Sequence, residues 1–543
     1  MTRSTNPVTL AIVGADVRTL DPARPHAEAV AVSGTTIAAV GRRSDILELT
    51  DGDTEIVDLA GATLTPGLID SHIHPVWGAS LTDGIDLDGL TTLDAVCGAV
   101  RAEAARVRDG GADGWVRGWN LDYAAFNGIA IEGRHLEDAA LGLPAAFTFY
   151  DLHTAVGTRA ALRQAGIDGH RDFGDASLIV VDAHGSPTGE LREPTAYNLL
   201  LDAAPPVTRE QELAGVRRVL EELASVGVTG GVVMDGDPEM LTLLAELERD
   251  EPLPVRLDIA LWHSPDRDDA GIEEYVALRD AAGDRWRCGL IKLFGDGVID
   301  TGTAWLYEPD TCGHGLQPFW PDAGRFAEVV GAYTEAGFQI ATHAVGDRAV
   351  GAALAAYERT GTHARNGAAH RIEHLETVTD EDVERMAAAG VTASMQPLHM
   401  QWRHADNSDS WATRLGAERA GRAFRTGDML GSGVPVTLGS DWPVAQKDPR
   451  IGMAWARARR TPGRPDAPTF EPDQSLSPEQ ALEGYTSWAA TALGDATRGR
   501  IAAGMLADLT AFASDPVAAT PDELIDLPIV LTVVDGQITH RRS

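Results

Sequence analysis

The stretch TLTPGLIDSHIH, residues 63–74, is an apolar run that ends in two histidines two positions apart. Its composition fits a buried strand, and residues two apart on a strand share a face, so His72 and His74 are expected to point the same way from its C-terminal end. Seven more runs of this kind follow: GVTGGVVM (227–234), PVRLDIALW (254–262), CGLIKLF (288–294), FQIATHA (338–344), AHRIEHL (369–375), VTASMQP (391–397) and VPVTLGSD (434–441). Alanine-rich helical stretches separate them. Strands alternating with helices indicate a parallel sheet, and eight of them predict an α/β fold, a closed (β/α)8 TIM barrel whose chemistry sits at the C-terminal strand ends.

Outward from the barrel the pattern changes at both ends of the chain. VTLAIVGADVRTLD (8–21) and AEAVAVSGTTIAAVG (27–41) alternate apolar and polar residues around a Ser33-Gly34 turn, and PIVLTVVDGQITHRR (528–542) has the same character around Asp535-Gly536. The two ends are expected to pair into one small β domain. The stretch from about residue 85 to 206 does not fit the barrel repeat and is too long for an ordinary loop, so it reads as an insertion after the first barrel strand.

Residues at the strand ends form a set: His72 and His74, Lys292, His343, His374 and Asp441. Imidazoles and a carboxylate are good ligands for a borderline metal such as zinc. Each has a plainer reading, since a histidine near a strand end is commonly a hydrogen-bonded core residue and Asp441 could serve a turn before Trp442-Pro443. Their coincidence at matching strand positions favours a metal site. His370 to His374 also spells H-x-x-E-H, an inverted zinc-peptidase signature when it lies on a helix. Here the run is short and a new helix start follows at Thr379 or Asp380, so a strand is expected.

Composition narrows the alternatives. The 543 residues carry a formal charge of −36, and all but two of the 45 cationic residues are arginine. So acidic a chain makes nucleic acid and anionic membranes poor partners. Neither lysine lies in a Gly-Lys-Ser/Thr phosphate loop. Cys97, Cys288 and Cys312 lie far apart, which excludes a disulfide framework and all-cysteine zinc sites. No run of 18 uncharged apolar residues occurs, and a cytoplasmic protein is expected. Lys447 lies in an exposed-looking loop, whereas Lys292 falls on a barrel strand. A buried lysine can lose its proton and react with carbon dioxide, a role arginine cannot fill; its plainer role is an ion pair, for example with Asp296.

Taken together, TPGLIDSHIHP, IKLFGDG, ATHAVGDRA, HRIEHLE and GSDWPV resemble the metal-binding strands of the amidohydrolase superfamily. The likeness is to its YtcJ-like branch, amidohydrolase family 3, to which N-substituted formamide deformylase belongs. GRIAAGMLADLTAF is similar to that family's return into a small β-sandwich, with Met505 where lysine is common. DLHTAVGTRAAL is similar to the branch's substrate-side motif, with Gly157 in place of asparagine. The resemblance implies a composite β-sandwich from 1–65 and 497–543 and a barrel over 66–496. It implies two zinc ions per chain: His72, His74 and Asp441 on the more buried one, His343 and His374 on the other, and carbamylated Lys292 between them. It further implies hydrolysis of a C–N bond in an amide, N-substituted formamide or cyclic amide through a metal-bound hydroxide, with Asp441 moving the proton. The alternative is a mononuclear deaminase of an amidine-like or heteroaromatic substrate.

Asp151, His153, Trp77, Trp305 and His399 are the candidate substrate-binding residues, and Arg371 is expected to pair with Glu373 or Glu376. Cys288, four residues before Lys292, is expected on the same strand face; some relatives use a cysteine as metal bridge, against the plainer reading of a small buried hydrophobe. A small-molecule substrate and a homodimer are the expected partners.

Overall fold

The computed structural model describes residues 7–82, 84–109, 114–150, 154–173, 177–320, 322–404 and 406–542. Eight parallel strands lie side by side in chain order: Leu68–Ile73, Val228–Gly236, Arg256–Trp262, Trp286–Phe294, Gln339–Ala344, Arg371–His374, Thr392–Met395 and Val436–Leu438. We refer to them as barrel strands one to eight. Strand eight meets strand one through Asp441 N–H donating to the His72 carbonyl at 2.8 Å and His74 N–H donating to the Trp442 carbonyl at 2.9 Å. The barrel is thus drawn together at the end where the histidines sit. Residues from strands one to five, among them Ile69, Val232, Ala260, Leu290 and Ala341, share one buried cluster with Ala489, Ala490 and Leu493. Five strands can meet in one cluster only around the barrel axis, so helix Ser487–Ala492 packs into the barrel interior.

The stretch at 63–74, read from sequence as one strand, divides at Gly67. Thr63–Pro66 joins another sheet and Leu68–Ile73 enters the barrel. Glycine is required at the break, because a Cβ at position 67 would stand 2.1 Å from Thr229 Oγ1. The other sheet collects both ends of the chain. Its order is Gln537–Arg541, Ile529–Val534, Leu509–Phe512, Thr63–Pro66, Leu10–Arg18, His26–Ser33 and Thr36–Gly41, with Glu55–Asp58 also paired to Leu10–Arg18. Leu509–Phe512 runs antiparallel to Thr63–Pro66 and makes the junction. Ile12, Val30, Val32, Leu64, Leu509 and Val533 are buried together on one face. The hairpin at Asp535-Gly536 has both turn residues at positive φ, 51° and 72°, as the Asp-Gly pair predicts.

The chain divides into two compact units, residues 1–75 with 217–543 and residues 76–216. The second holds its own six-stranded sheet, in the order Leu178–Val181, Pro187–Arg192, Thr154–Gly157, Ala145–Phe149, Val116–Leu121 and Ile85–Asp86. The helix Leu93–Asp109 turns Val96, Val100 and Ala104 into a core with Val116, Leu121 and Phe147, a spacing that keeps one helical face apolar. No helix among the described residues is long and apolar enough to cross a membrane.

Candidate metal centre

Every strand-end residue of the predicted set has its side chain within reach of Asp441 or of a histidine that is, Lys292 through His72. His72 Nε2 and His74 Nε2 lie 3.3 and 3.1 Å from Asp441 Oδ1. His374 Nδ1 lies 3.9 Å from Asp441 Oδ2. The ring centroids of His343 and His374 are 4.4 Å apart, and Lys292 Nζ is 3.4 Å from His72 Nε2. All six are buried. His374 and Asp441 stand at φ 75° and 60°, left-handed conformations that cost non-glycine residues of order 1–3 kcal/mol each and recur at functional sites.

Hydrogen bonds set which ring nitrogen carries a lone pair. His72 Nδ1 is 2.8 Å from Glu373 Oε2, so as a neutral ring it donates there and turns its Nε2 lone pair toward Asp441 and Lys292. His343 Nε2 is 3.0 Å from the Gly297 carbonyl, which leaves its Nδ1 as the acceptor. Burial, with the Lys292 charge adding to it, brings His72 down to about 4 and His343 to about 3, so both rings are neutral at ordinary pH. Burial also lowers His74, but Asp235 and Asp441 outweigh it and raise that ring to about 9. Burial brings the Lys292 amine down to about 8, against the pull of Glu373 and Asp441. Asp441 stays far below the usual carboxylate range, because His72, His399 and His74 outweigh the cost of its burial.

The donor set suits a metal. One ligand atom each from His72, His374 and Asp441 lies within 4.8 Å of the other two, the one such group among the described residues. Nitrogen and carboxylate oxygen are donors that zinc accepts.

The remaining candidates fall in different places. His399 sits between carboxylates, with Nδ1 3.5 Å from Glu376 Oε1 and Nε2 3.4 Å from Asp441 Oδ2. Trp305 donates its backbone N–H to Asp296 Oδ2 at 2.8 Å, and its ring lies under the Arg348 guanidinium. With Trp320 and Phe326 it lines an apolar cavity of about 200 Å³. Trp77 lies in helix Pro75–Leu81, in the second unit, and its residue is 40% exposed. Asp151 and His153 lie outside the described residues.

The plainer role offered for Lys292 is set aside, and the face expected for Cys288 is corrected. Asp296 does not pair with Lys292: its carboxylate accepts the backbone N–H groups of Val345, Trp305 and Gly346, and burial holds it near 8. Cys288 does not share the Lys292 face. Strands three and four pair Ile259 with Cys288 and then Ala260 with Leu290, so Gly289, at φ 143°, is a bulge that reverses the alternation. Leu290 faces the barrel axis with Ala260, and Cys288 faces away. Its thiol is pushed by burial to about 12, as a packing residue's would be.

Other residues were not singled out from sequence. Asp235, near the end of strand two, lies 3.1 Å from His74 Nδ1. Its position in VVMDGD follows the same strand-end rule as the predicted set, and that rule could have found it. Glu373, which binds His72, is clamped in turn by Arg371 Nε at 2.6 Å and an Arg371 terminal nitrogen at 3.1 Å, the ion pair that the sequence expected. Arg371 also reaches the Ser71 carbonyl and Ser394 Oγ. Glu373 and Arg371 are fully buried. Partners that orient a ligand histidine contribute strongly to metal retention, so Glu373→Gln is expected to weaken it by roughly 10–100-fold. Metal remaining after graded chelator treatment measures this, and retention equal to the parent's would show that His72 needs no carboxylate behind it.

The strand run 371–374 is not the helical H-x-x-E-H signature, since His370 turns away to Thr334 Oγ1 and the Ile340 N–H. The amidohydrolase family profile matches residues 55–540. This chain belongs to the amidohydrolase family. The amidohydrolase is 28% identical to N-substituted formamide deformylase of Arthrobacter pascens over 98% of each chain. It is 29% identical to YtcJ of Bacillus subtilis (strain 168), over 95% of this chain and 96% of the other. Its fold is similar to the crystal structure of an uncharacterized metal-dependent hydrolase from Pyrococcus furiosus, with a TM-score of 0.72 and 24% identity over 94% of this chain and 99% of that one.

Proposed function

We propose that this amidohydrolase cleaves a C–N bond in a small amide, an N-substituted formamide or a cyclic amide. The observation that carries the reading is the convergence of His72, His74, His374 and Asp441 within one buried cluster beside Lys292. The name and full-length similarity of the formamide deformylase supply the bond type.

In this reading His72, His74 and Asp441 would hold one divalent ion and His343 and His374 a second, and zinc is the ion that suits these donors. Bound metal would supply activation of water and polarisation of the substrate carbonyl. The chain supplies the rest. Burial favours the neutral Lys292 amine, the form that attacks carbon dioxide and leaves a carboxylate-ended arm able to bridge two ions. Asp441 accepts a proton from the attacking water and returns it to the leaving nitrogen. His72 first, then His399, wedged between Asp441 and Glu376, help to keep Asp441 ionised.

A mononuclear deaminase is the second reading, favoured by one observation: the compact ligand group is His72, His374 and Asp441, and His343 is not part of it. The deciding experiment is a hydrolysis screen of N-formyl, N-acyl and cyclic amides with a chelated control, alongside metal analysis. Amide cleavage lost on chelation supports the first reading. Ammonia release from amidines, with about one metal per chain, would replace it by the second.

A further inference from the structure

Barrel strand seven, Thr392–Met395, ends beside strand six and strand eight, the strands that carry His374 and lead to Asp441. The next residue is Gln396. It is 1% exposed, and among the described residues neither its carboxamide oxygen nor its nitrogen has a hydrogen-bond partner. Buried amides are almost always paired, because a buried donor or acceptor left alone forfeits its bond to water with nothing in return. A fully buried carboxamide with both ends open is a cost to the fold that a ligand would relieve.

Backbone geometry aims the side chain. Gln396 is near-extended, at φ −116° and ψ 87°, so alternation from Ser394 carries through to it. Ser394 Oγ accepts from Arg371, which clamps Glu373, which binds His72. Gln396 therefore occupies the same inner face one layer nearer the mouth of the barrel. Its own carbonyl accepts the His399 N–H at 3.1 Å, and His399 Nε2 stands 3.4 Å from Asp441.

We infer that Gln396 is a specificity-determining residue that binds the amide edge of the substrate. Its oxygen accepts a substrate N–H and its nitrogen donates to a substrate carbonyl. Both bonds form at once only when N–H and C=O lie on the same side, as in a cyclic amide or the cis form of an N-substituted formamide. The inference rests on the amide reading given above and sharpens it: substrates with a free N–H beside the carbonyl are selected over those with a fully substituted nitrogen.

The test uses 2-piperidone and N-methyl-2-piperidone, rings of the same shape that differ in the N–H. Binding to the metal-loaded full chain is measured by calorimetry for the parent, Gln396→Leu and Gln396→Met. The parent is expected to bind 2-piperidone at least roughly fivefold more tightly than its methylated form, the loss of the one hydrogen bond that needs the N–H. Both variants are expected to lose that preference, to keep the parent's metal content, and to melt no lower than the parent, since each removes an unpaired buried amide. A merely structural role would give the opposite melting result. Equal binding of the two rings by the parent, no binding of either, or a preference retained in both folded variants would overturn the inference. A parent that shows the preference but hydrolyses no amide would leave Gln396 assigned and overturn the hydrolase reading.

Discussion

Asp441→Asn is expected to lower kcat by roughly 10²–10⁴-fold, the range for removing a general acid–base group. At 1.36 kcal/mol per decade this is about 3–5 kcal/mol of barrier. Asn keeps the shape, but it cannot take a proton from water or balance the charge of the protonated rings around it. In the metal-free chain His399 is lifted to about 9 by Asp441 and Glu376, and His74 to about 9 by Asp235 first and Asp441 second. Without that carboxylate both lose proton affinity, so the variant is expected to carry less positive charge in the site at neutral pH. Steady-state rates with metal added in excess, and histidine titration of the metal-free protein followed by NMR, check the two halves of the statement. Activity within tenfold of the parent would remove Asp441 from the proton path.

Lys292→Arg is expected to cost several kcal/mol of transition-state stabilisation, roughly 10²–10³-fold in kcat/KM, and to bring the metal content from about two per chain to about one. The guanidinium remains protonated and cannot take up carbon dioxide, while its positive charge would sit against the His72 Nε2 lone pair. Metal analysis and mass spectrometry of the intact parent, with and without bicarbonate, provide the check. A Lys292→Arg protein that keeps parent activity with one metal would favour the deaminase reading.

The barrel was legible because each strand is a short apolar run and the ligand types recur at the same end of successive runs. His72, His74, His343, His374 and Asp441 were found by that rule, and they lie together in the folded chain. Where the rule assumed unbroken alternation it failed. Gly289 looks in sequence like any strand glycine, and only the pairing with strand three shows that one residue is skipped there and Cys288 turned away. Asp296 stood only as one possible partner in the plainer role of Lys292, and its actual partners are backbone N–H groups, which no sequence pattern announces. Gln396 gave no signal either, since a glutamine is ordinary until its burial and its lack of partners are known. Arginine's dominance has a physical counterpart inside the fold. Arg498, almost fully buried, spans Asp258 and Asp495 with separate nitrogens, a fork that lysine's single ammonium cannot reproduce.

The sheet that gathers both ends of the chain has a consequence for how the protein is made. Thr65 and Thr510, bonded across its junction, are 445 residues apart. At ribosomal rates of about 5–20 residues per second, the Thr63–Pro66 edge waits roughly 20–90 s for its neighbour to be synthesised. Barrel strand one must likewise wait for strand eight, since its His72 carbonyl receives the Asp441 N–H. The nascent chain therefore carries two unpaired strand edges through most of its synthesis, a state that invites pairing with other chains. The strands that later pair with these edges act as a clasp on the fold.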